Sequence, residues 1–176
     1  MKVSSFDMPR DEMRSELDRI RHPMRIAVDR AKNPFNIGSI VRTAHSFLAK
    51  EIILIGTEPW YERAAMGMQR FENIVEVPDE ESFLELAQEK GWSLVAFERE
   101  PAKVGLWDAV FPDEPVLMFG NEDQGLSGTL IEAAETVVSI PMFGINHSYP
   151  ISIAAGIAMA EWTRRYYSGG RVISPP

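Results

Sequence analysis

Six short apolar runs, each followed by a helical or turn-forming segment, constrain this chain more than any other feature. They lie at 25–29 (RIAVD), 51–56 (EIILIG), 74–77 (IVEV), 93–98 (SLVAFE), 116–120 (VLMFG) and 136–140 (TVVSI). Runs of this length, rich in Val, Ile and Phe and closed by Gly or Pro, read as strands. Helical spacing fills the gaps. Ile37, Ile40, Val41, Ala44 and Leu48 make the buried face of a helix that Asn36 would cap. A second helix is expected over 80–90, stopped by Gly91, a third near 128–135 and a last one over about 151–167. A polar helix over 10–22, anchored by Leu17 and Ile20, precedes the first strand, and 61–68 forms a short helix. Residues 99–115, with Pro101, Pro112 and Pro115, read as loop. Strands alternating with helices indicate an α/β domain with a largely parallel sheet. In such sheets ligands sit beyond the carboxyl ends of the strands.

The 176 residues suit one domain over 1–176, with a short helical extension (1–23) and a short tail (168–176). No run of about 18 apolar residues occurs, and the charged N-terminus has no apolar core, so neither a membrane span nor a signal peptide is expected. The absence of cysteine excludes disulfides and cysteine–zinc sites, and a cytoplasmic location follows. The net charge of −8 is uneven: residues 1–50 carry +4, residues 51–161 carry −15 and residues 162–176 carry +3. If the basic ends meet, they form a patch for phosphates; solvated arginine-rich helix faces would have the same composition.

Three loops follow strands where chemistry is expected. In NPFNIGSIVRTA (33–44), Gly38 and Arg42 are four residues apart on one helical face. Glycine there would let another molecule approach, making Arg42 a candidate anion ligand; taken alone, an arginine at such a position reads first as an ordinary exposed one. FGNEDQGLS (119–127) misses the P-loop pattern because Leu126 stands where lysine is required, and Glu122 and Asp123 would repel phosphate. Such an acidic, glycine-rich loop suits a neutral or cationic ligand, or is a plain turn with Glu122 near a helix N-terminus. In IPMFGINHSYPI (140–151), His147 is either a weak candidate base or incidental. The helix after it, ISIAAGIAMAEW, is apolar on nearly every side, which points to a subunit interface or to burial within one chain. No H-E-x-x-H or G-x-S-x-G occurs, and the three histidines are scattered, so no metal site is expected.

In order and spacing these loops resemble the three motifs of the SpoU-TrmH family of RNA 2′-O-methyltransferases, over roughly residues 24–165. Asn36, Gly38 and Arg42 carry the first motif; Gly120, Glu122, Gly125 and Leu126 the second; Ile140, Pro141, Met142, Ser148 and Ser152 the third. The resemblance implies a mostly parallel sheet with helices on both faces and a C-terminal deep trefoil knot. It implies S-adenosylmethionine as cofactor, contacted by Phe97, Gly120, Asn121, Ile140, Met142, Ser148, Tyr149 and Ile151. It further implies transfer to a ribose 2′-hydroxyl in tRNA or rRNA by a homodimer. Arg42 would activate or orient that hydroxyl, with Asn36, Glu122 and Ser148 completing the catalytic set. One departure stands out: the family usually reads Ser-Leu-Asn where this chain has Ser148-Tyr149-Pro150. Proline lacks both the amide side chain and a backbone N–H. That leaves two other readings open: a knotted RNA- or cofactor-binding dimer that has lost catalysis, and an enzyme with a non-RNA acceptor. Asn146 or His147 would have to supply the missing polar contact.

Overall fold

The computed structural model describes residues 8–29 and 33–166. The expected tail at 168–176 and the first seven residues of the N-terminal extension lie outside these described residues.

Seven strands form one sheet: β1 (Arg25–Asp29), β2 (Glu51–Ile55), β3 (Ile74–Val77), β4 (Ser93–Phe97), β5 (Val104–Gly105), β6 (Pro115–Phe119) and β7 (Thr136–Ser139). Their order is β3-β2-β1-β6-β4-β7-β5, and every pairing is parallel. Among the described residues five helices accompany them: α1 (Arg10–Asp18), α2 (Pro34–Ser46), α3 (Glu80–Lys90), α4 (Gly128–Ala133) and α5 (Ile151–Tyr166), with short 3-10 turns at Glu62–Ala65 and Met68–Arg70.

A sheet buried on both faces needs apolar residues at successive positions, and β2, β4 and β6 supply them. Ile26, Val28, Ile52, Leu54, Val95, Phe97, Leu117 and Phe119 pack on one face against α2 and α5. Ala27, Ile53, Ile55, Leu94, Ala96, Val116 and Met118 pack on the other, with Phe83 and Ala87 of α3 and Leu130 of α4. Pro115 opens β6, where its missing N–H costs least. Helices therefore cover both faces, as expected.

The chain winds outward from β1 to β3, then returns on the far side of β6 to lay down β4. β6 enters later, between β1 and β4. This reversal gathers the carboxyl ends of β1, β6, β4 and β7, which is where a parallel sheet offers a crevice.

Five expectations need correction. Asn33, not Asn36, caps α2, with its side chain accepting from the Phe35 N–H and Pro34 at the first turn, where a missing N–H is harmless. Gly38 is buried against the chain's own Tyr61–Ala65 segment, where a Cβ would lie 2.6 Å from that of Ala64, so no other molecule approaches there. Residues 99–115 contain the two-residue strand β5, which two residues of periodicity cannot announce. Ile20 lies beyond the end of α1 and is exposed. α5 is not buried all round: Ala155, Ala158, Met159 and Trp162 enter the core, while Ile153 remains 51% exposed.

Candidate active site

A cleft of about 330 Å³ opens at those gathered strand ends. That size suits a small organic ligand. Its apolar wall is Phe97, Phe119, Val138, Ile140, Met142, Ile151 and Ala154; its polar wall is Glu98, Arg99 and the segment Gly120–Gly125, closed by His147, Ser148 and Tyr149. Residues from the ends of three strands, β4, β6 and β7, and from the start of α5 thus meet although up to 57 positions separate them along the chain.

The loop after β6 is built by its own backbone demands. Asn121 accepts, through Oδ1, from the N–H groups of Asp123 (3.1 Å) and Gln124 (2.9 Å), a side-chain turn typical of asparagine. The Gly125 N–H donates to the Asn121 carbonyl at 2.9 Å. Gly125 adopts a φ of +70°, and a Cβ on Gly120 would lie 1.9 Å from the Gly125 carbonyl carbon. Only glycine satisfies both positions. Asn121 also donates through Nδ2 to Asp29 at 3.0 Å, tying the loop to β1. Burial pushes the Asp29 carboxyl above its ordinary range. The Asn121 bond acts against that shift, and the charges of Glu80 and Glu58 add to it.

The opposite wall rests on the loop after β7. The Tyr149 hydroxyl donates to the Pro141 carbonyl at 3.1 Å, and Arg99 donates to the His147 carbonyl at 3.2 Å. Pro150 sits immediately before α5, and its carbonyl accepts from the N–H groups of Ile153 and Ala154. Among the described residues no hydrogen bond of Asn146 fills the place of the family asparagine, and His147 contributes its carbonyl to Arg99.

At the rim, three separate segments converge. Asn36 lies in the first turn of α2; with Asn33 doing the capping, its side chain is free to donate through Nδ2 to Glu122. Its Oδ1 accepts from the Ser152 hydroxyl at 3.0 Å. Arg42 does not join them. It is exposed on α2, roughly 9 Å further along the helix axis. Its guanidinium makes no hydrogen bond among the described residues.

Phe97, Gly120, Asn121, Ile140, Met142, Ser148, Tyr149 and Ile151 all line the cleft, and so does Glu122. Sequence reasoning missed Asp29, Glu98 and Arg99, and gave Ser152 no role. All but Ser152 stand at the carboxyl ends of β1 and β4, so the strand-end rule was the available signal. Among the described residues no group of three or more His, Asp or Glu could hold a metal ion. No helix among them is long and apolar enough to cross a membrane.

The model of the SpoU rRNA Methylase family matches residues 23–160, most of the chain. This chain belongs to that family. A similar curated member is a 23S rRNA (adenosine(1067)-2′-O)-methyltransferase of Streptomyces laurentii, 32% identical over 142 residues, 77% of this chain and 52% of that one. A tRNA (guanosine(18)-2′-O)-methyltransferase of Borreliella burgdorferi is 30% identical over 94 residues, 53% of this chain and 43% of that one. The chain thus spans about half the length of these relatives. Among solved structures of the family, an AdoMet-bound rRNA methyltransferase from Sinorhizobium meliloti superposes with a TM-score of 0.75 at 32% identity, covering 85% of this chain and 60% of that one.

Proposed function

We propose that this chain methylates a ribose 2′-hydroxyl in tRNA or rRNA, using S-adenosylmethionine, as a cytoplasmic homodimer without a metal. The observation that carries the reading is the convergence of Asn36, Glu122 and Ser152, from three distant segments, at the rim of a cleft lined by every residue expected to hold the cofactor. The names of relatives that act on tRNA and on 23S rRNA support the substrate class.

The cleft suits the cofactor. Its apolar wall accommodates a flat base, and Glu98, Glu122 and Asp123 favour a ligand bearing positive charge over one bearing phosphates. Phe97, Ile140, Met142 and Ile151 would hold the base, with Gly120, Asn121, Ser148 and Tyr149 around it. S-adenosylmethionine, when bound, supplies an electrophilic methyl group on sulfur. The chain's own residues must then present a poor nucleophile, a ribose hydroxyl, in line with that methyl. Asn36 is held on both sides of its amide, by Glu122 and Ser152, so the rim is pre-organised rather than assembled on binding. The five donors of Arg42 serve to hold the phosphate and align the hydroxyl. The homodimer would bring it to the reacting group. The exposed Ile153, Phe143 and Ile145, which a second copy would cover, support such an interface.

The deep trefoil knot is part of this reading, as is a single domain over 1–176. After β7, outside β4 in the sheet, the chain returns as α5 to pack on α2 and β6. Arg165 near its end donates to the carbonyls of Leu106, Trp107 and Ala109, in the segment that links β4 to β6. A return passing under that segment is what a knot requires.

Labelled cofactor and bulk tRNA or rRNA test the proposal directly. Transfer should render one phosphodiester alkali-resistant, because a 2′-O-methyl group removes the internal nucleophile. Arg42→Ala should lower turnover about 100-fold with cofactor binding unchanged, since it removes one transition-state contact. Cofactor binding without any transfer to RNA would instead favour the catalytically impaired dimer that Pro150 suggests.

A further inference from the structure

Glu98 belongs to none of the three motifs, yet it joins the end of β4 to both β7 and the loop after β6. Its backbone N–H donates to the Val138 carbonyl at 3.1 Å, in the β4–β7 ladder. Its carboxylate reaches the other way. Oε2 accepts the Leu126 N–H at 3.1 Å, and Oε1 accepts the N–H of Arg99 at 3.0 Å. A Cβ on Gly125 would lie 2.4 Å from Oε2 and would displace the carboxylate, while the φ of +70° itself favours glycine. Glu98 and Gly125 both line the cleft.

We propose that Glu98 is a positioning residue for the cofactor: its carboxylate clamps the Gly125–Leu126 peptide and so holds the loop after β6 in the shape that forms one wall of the pocket. The inference rests on the cofactor reading above. The loop has few other ties on this side. Asn121 anchors its start to β1, and Ser127 caps α4 at its end, donating to Glu80 at 2.6 Å. Between those anchors the Leu126 N–H is the point where the loop meets β4. A carboxylate accepting a backbone N–H is a strong, charge-assisted bond, and removing it strands a part-buried donor. The loop then samples other shapes, and binding must select the competent one from a smaller population, which weakens affinity without touching the reacting groups.

The test is calorimetric titration of the full chain with S-adenosylmethionine, joined to steady-state kinetics and thermal unfolding. Glu98→Ala should weaken cofactor binding about 10- to 100-fold, the value of one charge-assisted hydrogen bond, and raise KM for the cofactor while kcat at saturation stays within about threefold. Glu98→Gln keeps one carbonyl acceptor but sets its amide against an N–H, so its effect should be intermediate. Gly125→Ala should weaken binding in both backgrounds through its φ of +70°, and by a smaller factor in the Glu98→Ala background, where the 2.4 Å clash is gone. Unchanged affinity in a folded Glu98→Ala, or a loss confined to thermal stability and kcat, overturns the inference. So does strict additivity of the two substitutions. Failure of the wild-type chain itself to bind S-adenosylmethionine overturns the cofactor reading first, and this inference with it, so the two failures are distinguishable.

Discussion

Asp29 shows how a half-buried carboxyl is tolerated at the edge of a site. It ends β1, shares one hydrogen bond with Asn121, and faces the charges of Glu80 and Glu58. Burial is the larger influence, and it raises the carboxyl's proton affinity in the folded state. A group whose folded pKa lies above its unfolded value favours folding when protonated, so its ionised form is a cost that appears as pH rises through that range. Asp29→Asn keeps an oxygen that accepts from Asn121 and removes the charge. It should raise the melting temperature at pH 7, with the gain shrinking toward zero below pH 4. Thermal scans of both proteins across pH 3–8 check this. A lower melting temperature throughout would mean that the charge itself organises the loop.

At the scale of elements, α2 decides where the rim residues stand. Its start is set three residues earlier than Asn36, by the Asn33 cap and Pro34. That shift turns Asn36 from a backbone partner into a site residue. Asn33→Ala should cost about 1 kcal/mol of stability, the usual value of an N-cap, measured by urea denaturation. It should also loosen the Asn36–Glu122–Ser152 contact, so turnover should fall more than cofactor affinity does. α5 carries a comparable division of labour. Its core face is Ala155, Ala158, Met159 and Trp162, and Gly156 faces Thr43 of α2, whose methyl would be in ordinary contact, 3.7 Å, with a Cβ there. Its last turn is fixed by Glu161, whose carboxyl is held down to about 2, first by its hydrogen bond to Arg164 and then by Arg165. That fixation persists above the ordinary glutamate range and is lost only as pH falls toward 2.

At the scale of the molecule, one buried ionic network joins the N-terminal lead-in to the rest. Glu72 is fully buried and accepts from Arg21 at 2.8 Å and pairs with His45 Nδ1 at 2.7 Å. Arg21, itself almost wholly buried, also donates to the carbonyls of Ala49 and Phe71 and to Asp18. The segment before β1, the end of α2 and the turn before β3 thus meet on one carboxylate. Losing Glu72 would leave Arg21 its bonds to Asp18 and two carbonyls but take the shared buried carboxylate from both Arg21 and His45, so the cost exceeds the pair's net contribution. Glu72→Ala should destabilise the fold by about 3–5 kcal/mol, read from chemical denaturation. A loss below about 1 kcal/mol would show that water reaches Arg21 readily.

Much was legible from local pattern alone. The six strands at 25–29, 51–55, 74–77, 93–97, 115–119 and 136–139 follow from apolar runs, because strand formation on a doubly covered sheet depends on residue type more than on neighbours. α3 and its stop at Gly91 follow from a capped amphipathic pattern, with Gly91 at φ +62°. The positions from Gly120 to Ile151 that line the cleft followed from motif order. What the chain's order of residues does not contain is distance. The choice of Asn33 over Asn36 as cap, the burial of Gly38 under Tyr61–Ala65, the pairing of Asn36 with Ser152 and the grip of Glu98 on Leu126 all join segments separated along the chain, or weigh one local option against a tertiary one. Burial and hydrogen-bond satisfaction are properties of those meetings, and only the folded sheet, with β6 inserted between β1 and β4, decides which residues meet.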